Sequence, residues 1–383
     1  MGEDFFKYLP SEIVVNILSR LPTRAAGVCK CVCKPWLGLL ATPEFVNPHM
    51  SRSVPGLAVE THSNSFEVIE FVDELGLDAE VEHRWDVAFN FKLPFDEPIH
   101  SSANGLIFLR GFDHGDLILC NPITRDYIKL PSPRQTTSED QLFSENFGFG
   151  VSGTTGQYKV VRVFVENPLH EEYENDPLPF ESQYECQVYT IGTGSWRKVP
   201  SGNPHLFCED LWGVLLNGNL HWMVIDITTG HYLERISCFD LETERFSILT
   251  VPPPCGIGSR DCKTPSVLRG CLCVSHITAD GEIVIWLMKE YGDEKSWTKE
   301  VFVVDVLRGL SDELHVCPIR VFENGDILME WAGARAFYYS NKTKTLDYDV
   351  KFRGDHSYYI STTMYAPGFL SLKNFAMENV SSF

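Results

Sequence analysis

Three things are scarce in this sequence. No uninterrupted apolar stretch is long enough to cross a bilayer as a helix. Basic residues are outnumbered: 32 Lys and Arg face 52 Asp and Glu, a formal net charge of −20. Phosphate backbones and anionic lipid surfaces are bound through clustered Lys and Arg, so neither nucleic acid nor membrane is expected as a partner. A basic protein surface would suit such a charge, although its everyday effect is solubility. An export signal is the third absence. Acidic residues precede Phe5-Phe6, which is too short for an apolar signal core, and Phe6 stands where a myristoylation signal needs Ser or Thr. The expected compartment is therefore the cytoplasm or the nucleus. The 12 cysteines fit it, since those such as Cys120, Cys186 and Cys238 stand in apolar contexts expected of reduced thiols. The formal glycosylation sites at Asn341 and Asn379 would then stay idle.

Catalytic signatures are missing as well. The run Gly153–Lys159 lacks the spacing and terminal hydroxyl residue of a phosphate-binding loop. His170–Glu174 puts Glu where a zinc protease needs its second His, and no Gly-x-Ser-x-Gly elbow occurs. "GFGVSG" (Gly148–Gly153) lies in an alternating strand and opens no helix, which excludes a dinucleotide fingerprint. Cys29, Cys31 and Cys33 point apart at a spacing of two on a helix. Cys271 and Cys273 read as small core residues, and Cys255 and Cys262 have no matching second pair. No cofactor and no metal are expected.

What is present begins with a helical module. Pro10 and Glu12 suit a first helical turn, and Ile13, Val14, Ile17, Leu18 and Leu21 recur at spacings of three and four as one apolar stripe. Pro22 stops that helix. Thr23 caps a second, with Ala25, Val28, Cys29, Val32 and Cys33 on one face. Pro35 opens a third, whose apolar face is Trp36, Leu37 and Leu40, and Thr42-Pro43-Glu44 repeats the same start signal. So small a module buries little surface by itself, so it either packs on the rest of the chain or expects a partner.

The spacing of Leu9-Pro10-x-Glu12, Ile17-Leu18-Ser19-Arg20-Leu21-Pro22 and Cys31-Val32-Cys33-Lys34-x-Trp36 resembles an F-box, over residues 5–48. That resemblance implies docking onto a Skp-type adaptor, and through it to cullin and RING subunits of a ubiquitin ligase. Carried over by position, Leu9, Pro10, Ile13, Ile17, Leu18, Leu21, Pro22, Val32, Cys33 and Trp36 would form or support the adaptor face. The departure is Ala25-Ala26-Gly27, where the family carries larger apolar residues, and a mid-helix glycine costs about 1 kcal/mol relative to alanine.

A linker is expected at 49–56, and from 57 to 370 the signal is short strands and turns. Asn-Gly or a similar pair precedes an alternating strand at Asn104-Gly105, Asn217-Gly218, Arg269-Gly270 and Asn324-Gly325. The last three of these are about 50 residues apart, the repeat of kelch-like blades. Polar-turn hairpins follow at 117–131, 236–252 and 335–350. Repeated four-strand units hide their edges by closing in a circle, so the expected fold is mainly β: a small three-helix F-box, then an irregular β-propeller-like domain of about five to seven blades. The order of "SSANGLIFL", "LCNPITRDYIKLP", "FGFGVSGTTGQYKVVRV" and "GVLLNGNLHWM" also resembles the F-box-associated domain of plant F-box proteins. Residues 371–383 are read as a C-terminal tail.

Together these imply a non-catalytic receptor that holds an unidentified protein substrate. The stretch Glu166–Glu185, with seven acids, three prolines and no Lys or Arg, reads as a long loop, and Glu171, Glu172, Glu174 and Asp176 are its candidate target contacts. The other reading is a propeller glycosidase or sugar-binding protein, with Trp212, Trp222 and Trp331 as a platform beside Glu209, Asp210 and Glu330.

Overall fold

In the computed structural model the described residues are 9–53, 55–62, 64–72, 84–111, 116–133, 142–166, 183–200, 206–207, 213–226, 233–252, 264–278, 280–303, 315–331, 335–347 and 362–383. Four short helices lead the chain: α1 Ser11–Leu18, α2 Thr23–Cys29, α3 Lys34–Leu39 and α4 Pro43–Arg52. Prolines punctuate them as the sequence predicts. Pro10 and Pro22 stand at the N-caps of α1 and α2, Pro35 lies in the first turn of α3, and Pro43 opens α4. Two expectations change here. Four helices stand where three were expected, because the Thr42-Pro43-Glu44 start nucleates a full ten-residue helix. That helix runs to Arg52 and a strand begins at Gly56, so most of the expected linker is regular structure.

The strands form six antiparallel sheets of four or five strands each among the described residues, within the five to seven expected. The chain divides into two compact units, residues 1–130 with 362–383, and residues 131–361. The first unit holds the helices and two sheets. In its first sheet Gly56–His62, Ser65–Val72 and Arg84–Lys92 are joined by Thr362–Tyr365, which pairs with Gly56–Val59 and supplies the fourth strand. In its second sheet Ile99–Ala103, Leu106–Arg110, Leu117–Asn121 and Asp126–Lys129 follow in order, and Ser381–Ser382 covers the edge at Asp126–Tyr127. The stretch expected as a tail, 371–383, therefore holds a short 3-10 turn at Leu372–Asn374 and an edge strand.

The second unit holds four sheets, of which the first two carry the most telling contacts. The sheet Leu142–Val151, Tyr158–Glu166, Gln183–Thr190, Trp196–Val199 packs on the sheet built around Asn219–Asp226. Their core is Val161, Val188, Leu220, Trp222 and Phe239. Glycines at alternate positions of one strand make this approach possible. A Cβ on Gly148 would stand 2.7 Å from the Trp222 ring, and one on Gly150 would stand 2.6 Å from Leu215. The motif "GFGVSG" is thus a packing surface for the next sheet, with Trp222 Nε1 donating to the Phe147 carbonyl at 3.3 Å.

The three Asn-Gly pairs and Arg269-Gly270 each lie at a strand turn of a different sheet. At Asn104-Gly105, Asn217-Gly218 and Arg269-Gly270 both residues have positive φ, the geometry of the tight turn whose twist matches the strands it joins. The polar hairpins close differently. Arg125 N donates to Asn121 O, Glu244 N to Asp240 O and Lys344 N to Ser340 O, each at 2.8 Å. Arg125, Glu244 and Lys344 take φ of 61, 56 and 60°. In each turn the first residue's side chain accepts from the backbone amides that follow: Asn121 from Ile123 and Thr124, Asp240 from Glu242 and Thr243, Ser340 from Thr343.

Candidate functional site: an exposed apolar face on the N-terminal helices

The apolar stripe expected along α1 is split between two environments. Val14 and Leu18 are buried, while Ile13 and Ile17, one turn apart on the other side, are 46% and 45% exposed. In α2 the inward residues are Thr23 and Ala26, and Val28 is 63% exposed. Val32 just beyond it is 61% exposed and Leu37 of α3 is 51% exposed. α4 turns Phe45, Val46 and His49 inward. The apolar faces expected on α2 and α3 are thus largely uncovered: Val28, Val32 and Leu37 face out. Only one narrow side of the short helices is covered, where Val14, Leu18, Ala26 and Leu40 form one small core with Phe45 and Val46 of α4.

The ten candidate residues fall into two sets. Leu9, Leu18, Leu21 and Trp36 pack on or within this small core and support it from inside. Pro10, Ile13, Ile17, Pro22, Val32 and Cys33 are exposed. Five of the ten large exposed hydrophobics among the described residues fall within Ile13–Leu37, a density a solvent-facing helical module has no use for. Val28 and Leu37 belong with them. They escaped the list because a 3.6-residue period shows that a helix has an apolar side without showing which of two sides is covered.

The module is also held from behind. Its core includes Phe369 and Leu370 of the C-terminal segment and Ile123 of the second sheet's polar turn. Phe369, only 1% exposed, meets Phe45 edge-on at 5.5 Å between centroids and His49 edge-on at 5.0 Å. Lys30 Nζ lies 4.7 Å over the same ring. Burial pushes the Lys30 ammonium below its usual range, partly offset by Asp126. Burial likewise pushes His49 down; a backbone hydrogen bond at Leu21 works the other way, and Arg52 adds to the depression. No local pattern announced Phe369, because its partners Phe45, His49 and Lys30 are all more than 300 residues away in the sequence.

Of the tryptophans offered as a sugar platform, Trp222 is a core residue and Trp331 is partly buried against a core cluster. Trp222 is 2% exposed against Gly148 and Gly213, and Trp331 stacks on Phe337 at 4.4 Å between centroids. Glu330 beside it is 8% exposed. Trp212, Glu209 and Asp210 lie outside the described residues, as do Glu171, Glu172, Glu174 and Asp176.

Comparison with known proteins bears on both parts of the chain. The family model described as the F-box associated beta propeller domain matches residues 61–376, and an F-box-like model matches residues 6–45. The chain is 28% identical over 335 residues to "F-box protein CPR1" of Arabidopsis thaliana, covering 81% of this chain and 76% of that protein. It is 28% identical over 376 residues to "F-box protein At3g07870" of the same plant, covering 90% of this chain and 88% of that protein. Among solved structures, a fungal lectin with a six-bladed β-propeller fold aligns at a TM-score of 0.37 and 11% identity, over 82% of this chain and 96% of that one, too slight a likeness to bear on function.

Proposed function

The chain belongs to the F-box-associated β-propeller family, and from that premise we propose that it is the substrate-receptor subunit of a Skp–cullin–F-box ubiquitin ligase. The observation that carries this reading is the outward apolar face of residues 13–37. A marginal helical module keeps large side chains in water when a partner is to cover them, and the F-box-like match falls on these same residues. Ile13, Ile17, Val28, Val32 and Leu37 would be the contact residues, with Pro10, Pro22 and Cys33 around them, while Leu9, Leu18, Leu21 and Trp36 hold the helices that present them.

The sheets would hold the protein target. Such a subunit does no bond-making itself. It would raise the local concentration of a target's lysine near the ubiquitin-charged enzyme, converting a bimolecular encounter into a positioned one. It needs no cofactor for that, and the cytoplasm or nucleus is where it would act. The acidic residues Glu171, Glu172, Glu174 and Asp176 are offered as target contacts on charge alone.

The test uses substitutions that leave the core untouched. Ile13→Asp with Ile17→Asp in the full chain should abolish co-purification of a recombinant Skp-type adaptor, with unchanged β-rich circular dichroism and thermal midpoint. Normal adaptor binding by this double variant would sink the reading.

A further inference from the structure

We propose that residues 367–371 are a strap that locks the N-terminal helices onto the first two sheets, with Phe369 as its positioning residue. The covalent route between these parts is short. α4 ends at Arg52 and the first strand starts at Gly56, so a single chain crossing acts as a pivot. The strap adds a second attachment from the far end of the sequence. Ser53 Oγ, just past α4, donates to the Pro367 carbonyl at 3.2 Å across 314 residues. Two residues on, the Phe369 ring enters the helical core between Phe45, His49 and Lys30.

The other side of the strap is tied to the second sheet. The buried Asn121 carboxamide donates to Gly368 O at 2.9 Å and to Leu370 O at 2.7 Å, so it grips the backbone on either side of Phe369. Ser371 Oγ donates to Asp126 Oδ2 at 2.6 Å, and Lys373 Nζ lies 3.2 Å from Asp126 Oδ1. The Asn104-Gly105 turn presses on the same segment so closely that a Cβ on Gly105 would stand 2.7 Å from Gly368 N. Before the strap, Thr362–Tyr365 is paired into the first sheet; after it, Ser381–Ser382 is paired into the second. A segment fastened on both flanks and gripped in the middle cannot follow the helices if they swing. One pivot and one clamp leave no free rotation. The consequence for the ligase, which rests on the proposed receptor role, is that the strap would hold the adaptor-facing helices in one orientation on the first two sheets.

The test is a distance measurement. Spin labels on unnatural amino acids at the exposed Asn47 of α4 and Lys92 of the first sheet avoid the native cysteines. Pulsed electron resonance is read on the full chain, free and bound to a recombinant Skp-type adaptor. Wild type should give one narrow distance in both states. Phe369→Ala should spread it into a broad distribution while adaptor affinity stays at the wild-type value, and Phe369→Leu should restore the narrow peak. Asn121→Asp offers a second route: it keeps the acceptor for its own turn, loses both donors to the strap and should also broaden the distribution. A wild-type distribution in Phe369→Ala overturns the proposal. So does loss of adaptor binding and helical hydrogen-exchange protection in Phe369→Ala that Phe369→Leu cannot restore, since Phe369 would then be only a core residue of the helices. The free-chain measurement needs no adaptor, so failure of the wild-type chain to bind one would sink the receptor role and leave the strap to be judged by its own distances.

Discussion

Gly148 and Gly27 are the same residue type placed for opposite reasons. At Gly148 the absent side chain is the space that Trp222 and Leu220 occupy. Gly148→Ala should destabilise the chain by about 1–3 kcal/mol through overpacking, read as a lower urea midpoint. Because the closest atom is at the far edge of the indole, Trp222→Phe should relieve part of that clash. The double variant should then lose less than the sum of the singles. At Gly27, in α2, a Cβ would meet nothing within 4 Å. Gly27→Ala should therefore stabilise the helical module by about 1 kcal/mol, seen as greater hydrogen-exchange protection over residues 23–29. Single residues also show where local chemistry was legible. The Asn-Gly turns were, since few residues accept positive φ. Arg125, Glu244 and Lys344 were not, because long charged side chains carry no preference for that conformation and it is the hairpin geometry that imposes it.

At the scale of the element, α4 combines a buried imidazole with the strap. His49 is 3% exposed between Phe45 and Phe369, and the charged group that acts on it is Arg52 on its own helix. Burial, with Arg52, holds its pKa below the usual value, so the folded module binds fewer protons than the unfolded one. The sign follows. Stability is fully present above the ordinary imidazole pKa of about 6.5 and is lost as pH falls below it toward the depressed folded value. Protection of α4 amides should thus decline as pH falls below about 6.5, and His49→Phe should flatten that slope. An unchanged slope in His49→Phe would assign the titration to another group. The helices themselves were legible as elements. The side of α1 that lies inward was not, because Ile13, Val14, Ile17 and Leu18 are equivalent in hydrophobicity and only the fill of the core separates them.

At the scale of the whole molecule the balance of 52 acids against 32 bases acts over distances of a Debye length, about 10 Å at 0.1 M salt. If a basic target is steered by the acidic run Glu166–Glu185, its association rate should fall steeply with salt, while docking through an apolar helical face should barely respond. Replacing Glu171, Glu172, Glu174 and Asp176 with Ser should slow target association and leave adaptor affinity intact. Wild-type on-rate and salt slope in that variant would move the recognition surface elsewhere.

The sequence by itself determined what depends on neighbours a few residues apart. It encoded the helical module with its proline starts, the mainly β body with glycine turns between alternating strands, and the net charge. Tertiary structure decided what depends on residues far apart. It chose Val14 and Leu18 over Ile13 and Ile17 for burial, turned "GFGVSG" into a seat for Trp222, and brought Phe369 into a core begun by Phe45. The reason is physical. Turn and helix preferences are free energies of short segments, whereas a contact across more than 300 residues exists only once the sheets between have closed the loop and left a space that one ring fits.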